Sequence, residues 1–227
     1  MDAIRIAKAA TGRDKIVKVE GGYHGHHDDV MVSMKPPLDQ AGPPEAPISL
    51  ASSAGVAQHI IAHTLVVPYN DPDALERALS GDDVACFIVE PVMENIGICL
   101  PDDGYLQAVR DITSRHGTVL IFDEVKTGIT AGYGGATAHY GVQPDLVTLA
   151  KSIGGGFPLG AFGGRQELMD QITTGKVAHY GTYNGNPLVM AASYATLTEA
   201  CAPEPSDAAI ARNTRLIEAC QRVIDDH

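Results

Sequence analysis

Short apolar runs that each end in a polar or charged residue set the pattern of this chain. Val84–Val89 is followed by Glu90-Pro91, and Thr118–Phe122 by Asp123-Glu124. Asp145-Leu146-Val147-Thr148-Leu149-Ala150 ends at Lys151, with Gly154-Gly155-Gly156 close behind. Apolar runs of this length between turn residues read as buried strands. Lys15–Glu20, Thr64–Tyr69 and Ala161–Gly164 read as three more. Helical patterns lie between them. Residues 2–10 are stopped by Thr11-Gly12, and Asn70-Asp71-Pro72-Asp73 starts a helix through Leu79. Asp102 or Asp103 is expected to cap a helix to about His116, and another begins near Gln166. Pro187 opens an alanine-rich helix to about Ala200, Pro203 and Pro205 break the chain, and an amphipathic helix runs from Ser206 nearly to the end. Gly21–Asp29 is a polar loop, and Lys35–Ala57, rich in proline, alanine and serine, is an irregular excursion. Continuous apolar strands alternating with helices predict an α/β fold, with a mostly parallel sheet covered on both faces. Such sheets bind ligands beyond the carboxyl ends of their strands. Glu90, Asp123 and Lys151 all stand at such an end.

Composition narrows the function classes. At 227 residues and 44% hydrophobic, the chain can bury one large core or two small ones. A net charge of -12 without a basic stripe argues against nucleic acid and anionic membrane surfaces. No apolar run has the length of a membrane span, and Met1-Asp2-Ala3-Ile4-Arg5 lacks the shape of a signal peptide. Cys86, Cys99, Cys201 and Cys220 form no close metal-binding pair and read as reduced thiols. The expectation is a cytoplasmic protein.

Lys151 at the exit of a strand is expected at the rim of the core, where burial lowers an amine's pKa and frees it as a nucleophile. The glycines after it let a bulky group approach the backbone. The alternative is a surface lysine before a flexible turn. A lysine amine forms a Schiff base with an aldehyde such as pyridoxal phosphate, and a buried aspartate keeps that cofactor's ring nitrogen protonated. Asp123 and Lys151 suit the two ends of such a ring, and Tyr23 its face. A rival is an ATPase, because Leu120–Glu124 resembles a magnesium-binding strand. That reading needs a glycine-rich loop ending in Gly-Lys-Ser/Thr, whereas Gly175-Lys176 is followed by Val177. His24, His26, His27, Asp28 and Asp29 match no helical zinc motif and read as loop residues, with no metal expected.

Five blocks in order carry a family resemblance: Gly22-Tyr23-His24-Gly25-His26, Glu90-Pro91-Val92, Phe122-Asp123-Glu124-Val125, Lys151 with Gly154-Gly155-Gly156, and Gly181-Thr182 with Gly185-Asn186-Pro187. Through these the chain resembles the class III pyridoxal-phosphate-dependent aminotransferases, and within them the glutamate-1-semialdehyde aminomutase branch. The resemblance implies the large domain of a fold type I transferase, an α/β/α sandwich over residues 1–200, with 201–227 starting a C-terminal segment. It implies that Lys151 forms the Schiff base and shuttles the proton, and that Asp123 pairs with the pyridinium nitrogen. Val125 and Tyr23 would pack on the two ring faces, with His24 beside them among the cofactor-binding residues. Asn95 would lie near the ring hydroxyl, and Glu90 would support its loop. Thr182 would reach the cofactor phosphate of the neighbouring subunit in a homodimer. The partners implied are a small-molecule amino donor and a carbonyl acceptor.

Family members are longer. Their phosphate-binding turn precedes the helix that begins here at Met1, and most of their small domain follows the end of this chain. The expectation is therefore a chain that holds the cofactor weakly and turns over slowly or not at all. The proline-rich stretch 35–47, with Lys126 and with Thr130 where relatives often carry an arginine nearby, favours a transaminase over the aminomutase. A non-catalytic remnant of the fold is the third reading.

Overall fold

The computed structural model describes residues 1–226. Its order is α1 (Asp2–Thr11), β1 (Lys15–Val19), α2 (Gln58–His63), β2 (Thr64–Val67), α3 (Pro72–Leu79), β3 (Val84–Val89), α4 (Tyr105–Arg115), β4 (Val119–Asp123), α5 (Thr127–Thr130), α6 (Gly135–Tyr140), β5 (Leu146–Ala150), β6 (Gly160–Gly164), α7 (Gln166–Thr173), α8 (Pro187–Ala195) and α9 (Pro203–Asp225). The six strands form one sheet in the order β2-β1-β3-β4-β5-β6. β1 to β5 pair in parallel, and only β6 runs antiparallel, against β5.

Alternation along each strand divides the apolar residues between two cores. Val17 and Val19 of β1, Phe87 and Val89 of β3, and Leu120 and Phe122 of β4 pack with Leu75 and Leu79 of α3 and Val109 of α4. Ile16, Cys86, Ile88 and Ile121 face the other way, onto Ile4, Ile6 and Ala7 of α1 and Leu168 of α7. Burial on both faces is why the central strands read as unbroken apolar runs. The α/β/α sandwich is the architecture that the pattern predicts.

Local chemistry explains most boundaries. Gly12 ends α1 in the left-handed conformation, at φ 69. Asp71 caps α3, its side chain accepting the Ala74 N–H at 2.8 Å, and Pro72 occupies the first helical position. Three expectations need correction. Gly104 precedes α4, not a capping Asp102 or Asp103, and makes no side-chain cap bond. Pro203 and Pro205 do not break the chain outside the last helix. They sit in the first turn of α9, where a missing N–H costs no intrahelical bond. β2 ends at Val67, short of Tyr69. Three short helices, α2, α5 and α6, were not foreseen, because each is too brief to show a period. Most of 35–57 is irregular as expected, anchored by a bridge between Val32 and Ala51. The helix from Pro187 widens into a π-turn at Thr196–Ala200. Among the described residues no helix is long and apolar enough to cross a membrane.

Leu75 is fully buried in the first core, so Leu75→Ala is expected to cost about 2–5 kcal/mol in urea unfolding. Leu38→Ala, at a 94% exposed position, is expected to change it by no more than about 0.5 kcal/mol. A second prediction concerns His116 after α4. Its Nε2 faces Glu76 and its Nδ1 faces Asp82, both at 2.8 Å, and these hydrogen bonds raise its pKa. A raised folded pKa gives stability that is fully present below the unfolded value of about 6.5 and is lost as pH rises through the folded value. His116→Gln is expected to flatten that part of the stability–pH curve, measured by denaturant midpoints.

Candidate active site

Parallel direction brings the ends of β3, β4 and β5 to one edge of the sheet. There a cavity of about 430 Å³ is lined by Tyr23, His24, Glu90, Asp123, Val125 and Lys151. The start of α1 from Met1 to Ile4, the inner face of β6, and His179 and Asn184 complete it.

Asp123, the last residue of β4, is buried. Its Oδ2 accepts a hydrogen bond from His24 Nδ1 at 2.8 Å, and its Oδ1 accepts the Val125 N–H at 3.1 Å. Burial alone pushes this carboxyl up. The His24 hydrogen bond and charge, with the Val125 N–H, outweigh burial and hold it below its ordinary value. Asp123 is therefore an ionised carboxylate at neutral pH. Because an ionised carboxylate can only accept, the His24 nitrogen facing it, Nδ1, is the donor. Its Nε2 is buried and has no partner among the described residues. A Cβ on Gly22 would come within 3.0 Å of this Nε2 and 3.1 Å of the Val19 carbonyl oxygen, so a side chain there is accommodated only if the loop gives by a few tenths of an ångström.

Glu90 joins two loops. Its Oε1 accepts the Tyr23 N–H at 3.0 Å and its Oε2 the Glu94 N–H at 3.2 Å. Asn95 is not in the cavity wall, and its side-chain amide donates to the Gly21 carbonyl at 3.0 Å. Thr182 is exposed and also lies off the wall. Val125 and Tyr23 line the wall, half-buried and 40% exposed respectively.

Lys151 follows the extended Ala150 and opens a single 3₁₀ turn, Lys151–Gly154. Its φ of 52 lies in the left-handed region, which costs a non-glycine residue about 1–3 kcal/mol and clusters at functional sites. The burial expected of it is not found: β5 ends at Ala150 and the lysine side chain is exposed. It stands in the wall of the cavity.

Sequence reasoning missed the far wall. His179 Nδ1 meets Asp2 Oδ2 at 3.1 Å, and Asn184 Nδ2 approaches His179 Nε2 at 3.2 Å. The only signal was the glycine-rich turn near Gly181. Lys126 and Thr148 also line the cavity, and the His24–Asp123 bond was not foreseen.

An amine, an ionised buried carboxylate and an aromatic wall around one cavity form a donor set suited to an aldehyde cofactor with a basic ring nitrogen. A sequence model of the family described as aminotransferase class-III matches residues 1–225. A glutamate-1-semialdehyde 2,1-aminomutase from Methanoculleus marisnigri is 53% identical over 199 residues, covering 87% of this chain and 46% of that protein. An omega-transaminase structure from Sphaerobacter thermophilus superposes with a TM-score of 0.83 at 36% identity, over 89% of this chain and 47% of that one. A glutamate-1-semialdehyde aminomutase from Pseudomonas aeruginosa in complex with PMP gives 0.75 at 33% identity, over 88% and 45%. The chain spans about half the length of the curated relatives it matches.

Removing the His24 partner exposes its effect on Asp123. In His24→Ala the Asp123 carboxyl is expected to titrate at a higher pH, followed by carbon NMR of its side chain. The stability that Asp123 contributes above its unfolded value, lost as pH falls through its depressed folded value, shrinks accordingly. An unshifted titration counts against His24 as the group that keeps Asp123 ionised.

Proposed function

The chain belongs to the class-III aminotransferase family, and we propose that it forms the cofactor-holding part of an enzyme that moves amino groups through Lys151, with pyridoxal phosphate as cofactor. The observation that carries this reading is the pairing of Lys151 and Asp123 on the ends of neighbouring strands at one cavity. When bound, the cofactor supplies an aldehyde that captures amines and a protonated ring that draws electrons from the carbon beside the nitrogen.

Each residue then has a task. The Lys151 amine would hold the cofactor through its aldehyde, and when free would carry a proton to and from the substrate carbon. Asp123, kept ionised by His24, would hold a proton on the ring nitrogen. Val125 and Tyr23 supply apolar contact to the ring, and Glu90 supports the Tyr23 loop. Asn95 stands near the ring hydroxyl in this reading, although its amide bonds Gly21. Thr182 serves the neighbouring site of a homodimer, in keeping with its exposure and with the exposed Leu188 and Tyr194 on α8. The partners are a small-molecule amino donor and a carbonyl acceptor, met in the cytoplasm.

A second reading is the aminomutase, in which amino transfer stays within one substrate. The name of the M. marisnigri relative favours it, whereas Lys126 and Thr130 favour a transaminase. An aminomutase works without an external amino donor, and a transaminase stops without one.

Borohydride reduction in the presence of pyridoxal phosphate tests the common core. Peptide mapping is expected to find the label on Lys151 ahead of the other lysines. Lys151→Ala abolishes that label and lowers amino transfer by on the order of 10²–10⁴-fold. Label spread evenly over surface lysines, unchanged in Lys151→Ala, sinks the proposal.

A further inference from the structure

One ionisable group beside the cavity has no part in the chemistry above. Lys18 is the fourth residue of β1, between β2 and β3, where it pairs with Val66 and Ile88. Its exposure is 0%. It shares its face of the strand with Ile16 and has Cys86 and Ile88 of β3 for neighbours, so an apolar residue would suit the place. Burying an ammonium is costly unless it is bonded, and replacing buried ionic groups by apolar ones of similar volume is often neutral or stabilising. Stability alone does not explain a lysine here.

Its bonds indicate what it does. Nζ donates to the Val19 carbonyl at 3.0 Å and the Val32 carbonyl at 2.9 Å. Val32 lies at the base of the long excursion, and the residue after it ties that base to the loop following β1. The Ser33 carbonyl accepts the Gly21 N–H at 2.9 Å, and Ser33 N–H donates to the Leu50 carbonyl at 2.8 Å. Two residues beyond Gly21 is Tyr23, whose N–H is held by Glu90. Glu20 at the end of β1 and Glu90 at the end of β3 are the carboxylates facing the ammonium. Burial pushes Lys18 down to about 8, and these two oppose that shift.

We propose that Lys18 is a positioning residue: its buried ammonium fastens the Val32 carbonyl to the end of β1, and through Ser33 and Gly21 this fixes the Tyr23 wall of the cavity. What that wall contacts rests on the proposed function. The linkage itself does not.

Amide hydrogen exchange on the whole chain tests it, with Lys18→Met and Lys18→Arg. In Lys18→Met the amides of Gly21, Tyr23 and Ser33 are expected to exchange at least about tenfold faster, as for loss of a hydrogen bond to a charged group. Phe87 and Ile121 amides stay protected. Lys18→Arg, which keeps charge and donors, retains the local protection. The pyridoxal phosphate concentration for half-maximal borohydride labelling of Lys151 rises about tenfold in Lys18→Met and returns towards the parent value in Lys18→Arg. Faster exchange over the whole sheet, failure of Lys18→Met to fold, unchanged exchange, or equal local loss in Lys18→Arg each overturn the role. Absence of labelling in the parent chain counts against the proposed function instead, and leaves the exchange result to decide Lys18.

Discussion

Burial of the central strands on both faces is the constraint from which the site follows. β3 and β4 are buried throughout, and β1 nearly so. A strand with no wet face leaves its ends as the natural place for ionisable side chains. The two ends of the sheet use that room differently. At the amino end, Asp145 accepts the Leu120 N–H at 2.8 Å and pairs with Arg110 and Arg165, each at 3.0 Å. Its charge is consumed in closing that edge. At the carboxyl end, Glu90, Asp123 and Lys151 surround a cavity.

Saturation of the neighbours singles out the lysine. Glu90 is occupied by two backbone N–H groups, and Asp123 by His24 and Val125. Glu124, next to Asp123, accepts the Ala136 and Thr137 N–H groups at 2.6 and 3.0 Å and is turned away from the cavity. A Cβ on Gly135 would come within 2.3 Å of a Glu124 oxygen, so this packing depends on a residue without one. Lys151 has a strained backbone, is exposed, and lines the same cavity as Glu90 and Asp123.

The strands, their direction and the strand-end residues were legible because each is a local pattern: an apolar run, then a charge, then glycine or proline. Glu90, Asp123 and Lys151 could be read this way. The His24–Asp123 bond spans 99 residues, and no local spacing encodes it. Lys18 reads as one polar interruption in an apolar strand, and only the packed structure reveals that its charge is sealed inside. The exposure of Lys151 was misjudged for a related reason: a strand pattern marks where the core ends without saying which way the next side chain turns. The proline pair at 203 and 205 misled because the same residue that stops a helix from within also starts one.

The far wall shows how the remaining pieces assemble. β6 and α7 carry the chain back to α1, which packs on the same face of the sheet. Lys176 donates to the Ala9 carbonyl at 3.0 Å, and His179 reaches Asp2. Arg5 bonds Asp2 at 2.7 Å, so the carboxylate that receives His179 is itself held in place on α1. These contacts bring the segment around Gly181 to the start of the helix, although 177 residues separate His179 from Asp2. Neither α1 nor the glycine-rich turn forms the wall alone. α1 and α7 bury their apolar faces on one side of the sheet, and the contact of His179 with Asp2 joins two parts of the cavity's far wall.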